Sequence, residues 1–127
     1  MKRVVITGMG INSCIGNTLE DVTHSLQNGI SGTRFNPTYE ELNFKSHVSA
    51  AAEQNFDGID RKLKRFMGVC AMYAYNSALA AIEHAGLKAE DLAGNPRYGI
   101  AGGSGGGSTA SVVEMNELLQ TKGARKV

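Results

Sequence analysis

Four cations stand within five residues, Arg61-Lys62-Leu63-Lys64-Arg65. Side chains clustered in this way attract anions, whether phosphate groups or the carboxylates of an acidic protein. The run follows Asp60, where the pattern predicts the start of a helix. Cations at a helix start oppose its dipole, which favours negative charge there. A local cost of this kind points to a partner that offsets it, against the simpler reading of a solvated face. Docking of an acidic protein is the sharper reading, with electrostatics raising the association rate and setting orientation.

The second chemical feature is glycine. Gly8-Met9-Gly10-Ile11-Asn12-Ser13 sits where a dinucleotide fingerprint would, after a strand and before a helix. That fingerprint needs glycine where Ser13 stands, and the loop is too long to seat a phosphate on the helix start. Gly102 and Gly107 have the spacing of a phosphate loop, but Ser108 occupies the lysine position. The run Gly102-Gly103-Ser104-Gly105-Gly106-Gly107-Ser108 also looks like a flexible linker. A strand entering it and a helix leaving it argue instead for a tight turn, where backbone closely approaches a ligand or another chain.

No catalytic set closes from the remaining residues. His24, His47 and His84 are scattered and read as surface or satisfied histidines. Cys70 falls on an apolar helix face and reads as core packing, while Cys14 is a loop thiol without a basic neighbour. No metal site and no cofactor are expected.

The elements that position these features follow from composition and pattern. The chain has 127 residues, a size that suits one domain. Thirteen basic residues against 12 acidic give a net charge of +1, which argues against a general nucleic-acid binder. Two scattered cysteines read as reduced, and the basic opening has too few apolar residues for a signal peptide or membrane helix. A cytoplasmic protein is expected. Glycine makes up 16 of the 127 residues, above its usual share of about 7%, with only two prolines.

Residues 3–8 and Tyr98-Gly99-Ile100-Ala101 read as buried strands of a parallel sheet. A helix is predicted from Thr18 as cap, with Glu20 and Asp21 in its first turn and Gly29 past its end. Residues 30–45 show no period and read as a loop, and 46–52 as a weak strand. A long helix is predicted from near Asp60 to Ala85, with Leu63, Phe66, Met67 and Cys70 on one face and Gly86 as its stop. Ala71, Ala74, Ala78, Ala81 and Ala85 form a seam of small residues on it, open to close approach. Asn95-Pro96 is a turn. A third helix spans about 110–121, with Ser111 and Glu114 at capping-box spacing and Ser108 or Thr109 as rival caps. Strand–helix alternation gives an α/β class.

Taken in order, Met1 through Gly10, Ile15-Gly16, Ser46-His47-Val48, Ile59-Asp60-Arg61-Lys62, Arg65-Phe66-Met67, Asn95-Pro96-Arg97 and Ala101 through Ser108 resemble the opening of a bacterial β-ketoacyl-acyl-carrier-protein synthase. The type I branch fits best, through Ser-Gly-Gly-Gly-Ser at 104–108. The resemblance implies a thiolase-like α/β fold, with residues 1–127 as the N-terminal part of the first α/β half, incomplete as a domain. It implies a homodimer that condenses acyl and malonyl groups carried by acyl carrier protein. The acylated cysteine and two histidines of that family lie beyond this stretch, so Cys14 and Cys70 are not nominated and no catalytic residue is assigned. Lys62 and Arg65 match positions that dock the carrier, and Arg61 and Lys64 extend the patch. Gly106, with Gly105 and Gly107 beside it, matches a position next to the acyl pocket at the dimer interface, where the type II branch carries a bulky residue. The expectation is a portion of a longer enzyme, inactive alone, with neither nucleic acid nor membrane as partner. The alternatives are a non-catalytic carrier-binding module and a nucleotide-binding α/β protein.

Overall fold

Thr18 caps the first helix as its sequence predicts. Its Oγ1 accepts the Asp21 N–H at 3.1 Å, and α1 runs Leu19–Gln27. The computed structural model describes residues 3–53 and 55–126. Val22 and Ser25 are the buried face of α1, and Ser25 Oγ donates to the Ile15 carbonyl at 2.7 Å. The chain then builds two elements inside the stretch expected to be a loop. Strand β1, Arg34–Phe35, pairs antiparallel with β2, Val48–Ser49, in the register Arg34 to Ser49 and Phe35 to Val48. Between them α2 spans Pro37–Glu41, opened by the Asn36 side chain, which accepts the Thr38 N–H at 3.1 Å. Pro37 at the first helical position has no N–H to leave unpaired, which favours the helix start. The weak strand expected at 46–52 is therefore present, and shorter.

The long helix expected over 60–85 is two helices. α3 spans Arg61–Lys64 and α4 spans Val69–His84, with Gly68 as the α4 cap. The non-helical stretch at 65–68 interrupts the apolar face: Phe66 is 88% exposed and Cys70 lies at the surface, so Cys70 is not the core residue its spacing suggests. α4 ends as expected ahead of Gly86, whose φ is +68°. A short α5, Ala89–Leu92, follows, and Lys88 N–H donates to Asp91 Oδ2 at 2.9 Å. The Asn95-Pro96 turn forms, with Tyr98 N–H returning to the Asn95 carbonyl at 3.1 Å. α6 spans Thr109–Lys122 with Ser108 as its cap residue, so Ser111 lies inside the helix and opens no capping box. A 3₁₀ turn at Ala124–Lys126 closes the described chain.

The seam of small residues on α4 receives the N-terminal segment. Asn12 Nδ2 donates to the Tyr73 carbonyl at 2.8 Å and to Ser77 Oγ. Gly10 lies over Ser77 and Ala81, Gly8 over Ala81 and Ala85, and Met9 N–H meets His84 Nδ1. Residues 8–12 thus run antiparallel along the second half of α4. A Cβ at Gly10 would stand 2.7 Å from the Ala81 nitrogen, so the close approach requires glycine.

Neither residues 3–8 nor 98–101 are paired into a ladder among the described residues. Val4, Ile6 and Ile100 are 90%, 83% and 101% exposed. A strand forms only where a neighbour supplies hydrogen bonds, and no described strand pairs with either run. Among the described residues, Val22 and Ile59 are the buried apolar side chains. The apolar content of these runs is thus a face without its counterpart.

Candidate functional site

Asp60 resolves the conflict between the cation cluster and the helix dipole. Its Oδ1 accepts Lys62 N–H at 2.8 Å and Leu63 N–H at 3.4 Å, placing a carboxylate at the start of α3. Arg61, Lys62 and Arg65 are exposed. Lys64 is half-buried, and its Nζ lies 3.9 Å from Asp57 Oδ1, the one ion pair among the described residues. Asp57 itself is 88% exposed.

The segment that carries Asp57 is anchored to α4. Tyr73 Oη donates to the Ala52 carbonyl at 2.6 Å, and the Tyr73 ring meets Phe56 edge-on at 5.2 Å. Asn76 Nδ2 donates to the Asn55 carbonyl at 3.4 Å, and Asn17 Nδ2 reaches the Glu53 carbonyl. Asp57 N–H closes a turn on Asn55 Oδ1 at 2.6 Å, and Ile59 behind it is 3% exposed. Sequence spacing identifies the cations but not this carboxylate, which reaches Lys64 through a turn.

The glycine-rich loop lies against the first turns of α4. Gly103 through Ser108 face Gly68, Cys70, Ala71 and Ala74 across an open concavity of about 700 Å³. A Cβ on Gly68 would come within 2.6 Å of the Ser108 Cβ, so the loop end and the helix start are in direct contact. Ser111 Oγ donates to Ser108 Oγ at 2.9 Å. Within the loop, Ser104 Oγ pairs with the Gly106 carbonyl and receives its N–H. A Cβ at Gly105, Gly106 or Gly107 would meet nothing within 4 Å. The close neighbour that these glycines suggest is not among the described residues. Only Phe66, Met67 and Gly68 separate the cation cluster from the helix that lines this concavity.

The histidines stay apart. His24 lies 3.3 Å from the Asn28 side chain, His47 meets Phe35 edge-on, and His84 takes the Met9 N–H. Cys14 is half-buried beside Gly32, away from Cys70. Among the described residues no group of three or more His, Cys, Asp or Glu side chains is placed to hold a metal, and no helix is long and apolar enough to cross a membrane.

The family model of the beta-ketoacyl synthase N-terminal domain matches residues 1–127. The chain is 50% identical over 109 residues to 3-oxoacyl-[acyl-carrier-protein] synthase 1 of Haemophilus influenzae, and 46% identical over 109 residues to that of Escherichia coli K12. Each match covers 85% of this chain and 27% of the relative. 3-Oxoacyl-[acyl-carrier-protein] synthase 2 of Coxiella burnetii is 34% identical over 129 residues, covering 99% of this chain and 31% of that protein. The crystal structure of a beta-ketoacyl synthase from Burkholderia phymatum STM815 superposes with a TM-score of 0.75 at 30% identity, over 96% of this chain and 31% of that one. The chain thus spans about a quarter to a third of the length of these relatives. Its fold is that of the thiolase-like synthases, and the chain belongs to the beta-ketoacyl synthase family through its N-terminal domain.

Proposed function

We propose that the protein carrying this domain is a 3-oxoacyl-acyl-carrier-protein synthase, which condenses acyl and malonyl units in fatty-acid elongation. The role of α3 is to receive the acidic carrier. The observation that carries this reading is the cluster of Arg61, Lys62 and Arg65, exposed on a helix whose start is fixed by Asp60. A fixed basic surface complements a negatively charged helix and orients it on arrival. The loop at Gly105, Gly106 and Gly107 lies beside the acyl pocket and meets the second subunit of a homodimer. Open space around those three glycines supports that placement. The domain supplies neither the acyl-accepting cysteine nor the two histidines of condensation, and is inactive without them. The enzyme works in the cytoplasm with no cofactor of its own.

Lys62→Glu with Arg65→Glu tests the docking surface in the full protein. The expected result is at least about tenfold weaker binding of acyl carrier protein, since two attractions become repulsions. Unchanged binding would remove α3 from the interface. Binding that is lost in this variant, in a protein with no condensing activity before substitution, would identify a non-catalytic carrier-binding module.

A further inference from the structure

Resting on that docking reading, we infer that Asp57 is a built-in competitor for the carrier, holding Lys64 in the free protein and setting how acidic a partner must be to dock. Four observations support it. Lys64 Nζ is 3.9 Å from Asp57 Oδ1, whereas Arg61, Lys62 and Arg65 form no ion pair among the described residues. Asp57 is 88% exposed, so its carboxylate stands on the surface an acidic helix would approach. Its position is fixed by the Asn55 turn, the Phe56–Tyr73 contact and the Tyr73 bond to Ala52. Of the other carboxylates nearby, Asp60 is engaged with the backbone of Lys62 and Leu63, and Glu53, which lines an open concavity with Asp57 and Lys64, makes no ion pair with Lys64.

An arriving carboxylate therefore competes with Asp57 for Lys64, and any partner meets this like charge amid the cations. Exposed pairs of this kind are weak, which suits an exchangeable contact. A densely acidic helix gains Lys64 and offsets the repulsion, whereas a sparsely charged surface does not. The same carboxylate speeds release by recapturing Lys64 as the partner leaves. Asp57 is thus a specificity-determining residue that trades affinity for turnover and selection.

The test measures binding of purified acyl carrier protein to the full protein and to Asp57→Asn, Lys64→Met and the double variant, with melting curves to establish folding. Asp57→Asn is expected to bind about two- to fivefold tighter, mainly through slower dissociation, as removal of an exposed pair partner allows. In the Lys64→Met background the same substitution is expected to gain markedly less. Unchanged affinity in Asp57→Asn, with binding still lost in Lys62→Glu/Arg65→Glu, overturns the competitor and leaves the docking surface standing. An equal gain with and without Lys64 also overturns it, because Asp57 then acts as a free charge. If Lys62→Glu/Arg65→Glu leaves binding intact, the docking reading itself falls.

Discussion

Met9 donates its backbone N–H to His84 Nδ1 at 3.0 Å, across 75 residues of chain. This bond sits at the end of the line of contacts that begins with Asn12 on Tyr73, so it pins the far end of residues 8–12 to α4. The bond requires a ring nitrogen that is free to accept. His84→Ala is expected to lower stability by about 0.5–1 kcal/mol, the worth of one modest hydrogen bond. Exchange of the Met9 amide should quicken, and His84→Asn, which offers an amide oxygen, should slow it again. Equal exchange rates in all three proteins would show that the bond does not restrain the segment.

Two glycines make a contrasting pair. Gly10→Ala forces a methyl group against the Ala81 nitrogen and the Ser77 carbonyl, so residues 8–12 must lift from α4. A loss above about 2 kcal/mol is expected, in the range of overpacked sites. Gly106→Ala places its methyl in open space and should stay within about 0.5 kcal/mol of the parent in denaturant unfolding. A large loss at Gly106 would mean that its close neighbour belongs to the stable fold, as a second subunit would.

Asp60 separates helix capping from charge. Asp60→Ala leaves Lys62 and Leu63 N–H without their acceptor and is expected to cost about 1 kcal/mol. Carrier affinity should fall with it, because the four cations lose their common frame. Asp60→Asn keeps the cap but loses the carboxylate's interaction with the helix dipole, so a loss of about 0.5 kcal/mol is expected, with affinity retained or slightly raised. Thermal melting and carrier titration of the two variants distinguish the roles. An Asn variant as poor as Ala would show that the carboxylate charge, and not the cap, organises α3.

Local signals were legible and non-local ones were not. Thr18 and Gly86 mark helix ends in the sequence because capping involves only neighbouring residues. The cation cluster could be identified for the same reason. The break between Lys64 and Val69 was hidden by Leu63, Phe66, Met67 and Cys70, whose helical spacing persists although Phe66 and Met67 lie in neither helix. β1 and β2 are two residues each and lack an apolar alternation, so only their pairing defines them. Residues 3–8 show the opposite case: a β-branched run carries strand propensity, but a ladder requires a partner that the described chain does not place there. In the candidate site, Asp57 was missed because its contact depends on the Asn55 turn and the anchoring of that segment to Tyr73.

The antiparallel seating of residues 8–12 on α4 also sets an order of events during synthesis. The ribosome makes Met9 first, and its acceptor on His84 follows 75 residues later. At roughly 5–20 residues per second, the segment waits about 4–15 s for the surface that holds it. Throughout that interval Gly8 through Asn12 have no helix surface to rest on. The order of synthesis therefore makes α4 the element whose completion first gives residues 8–12 their seat.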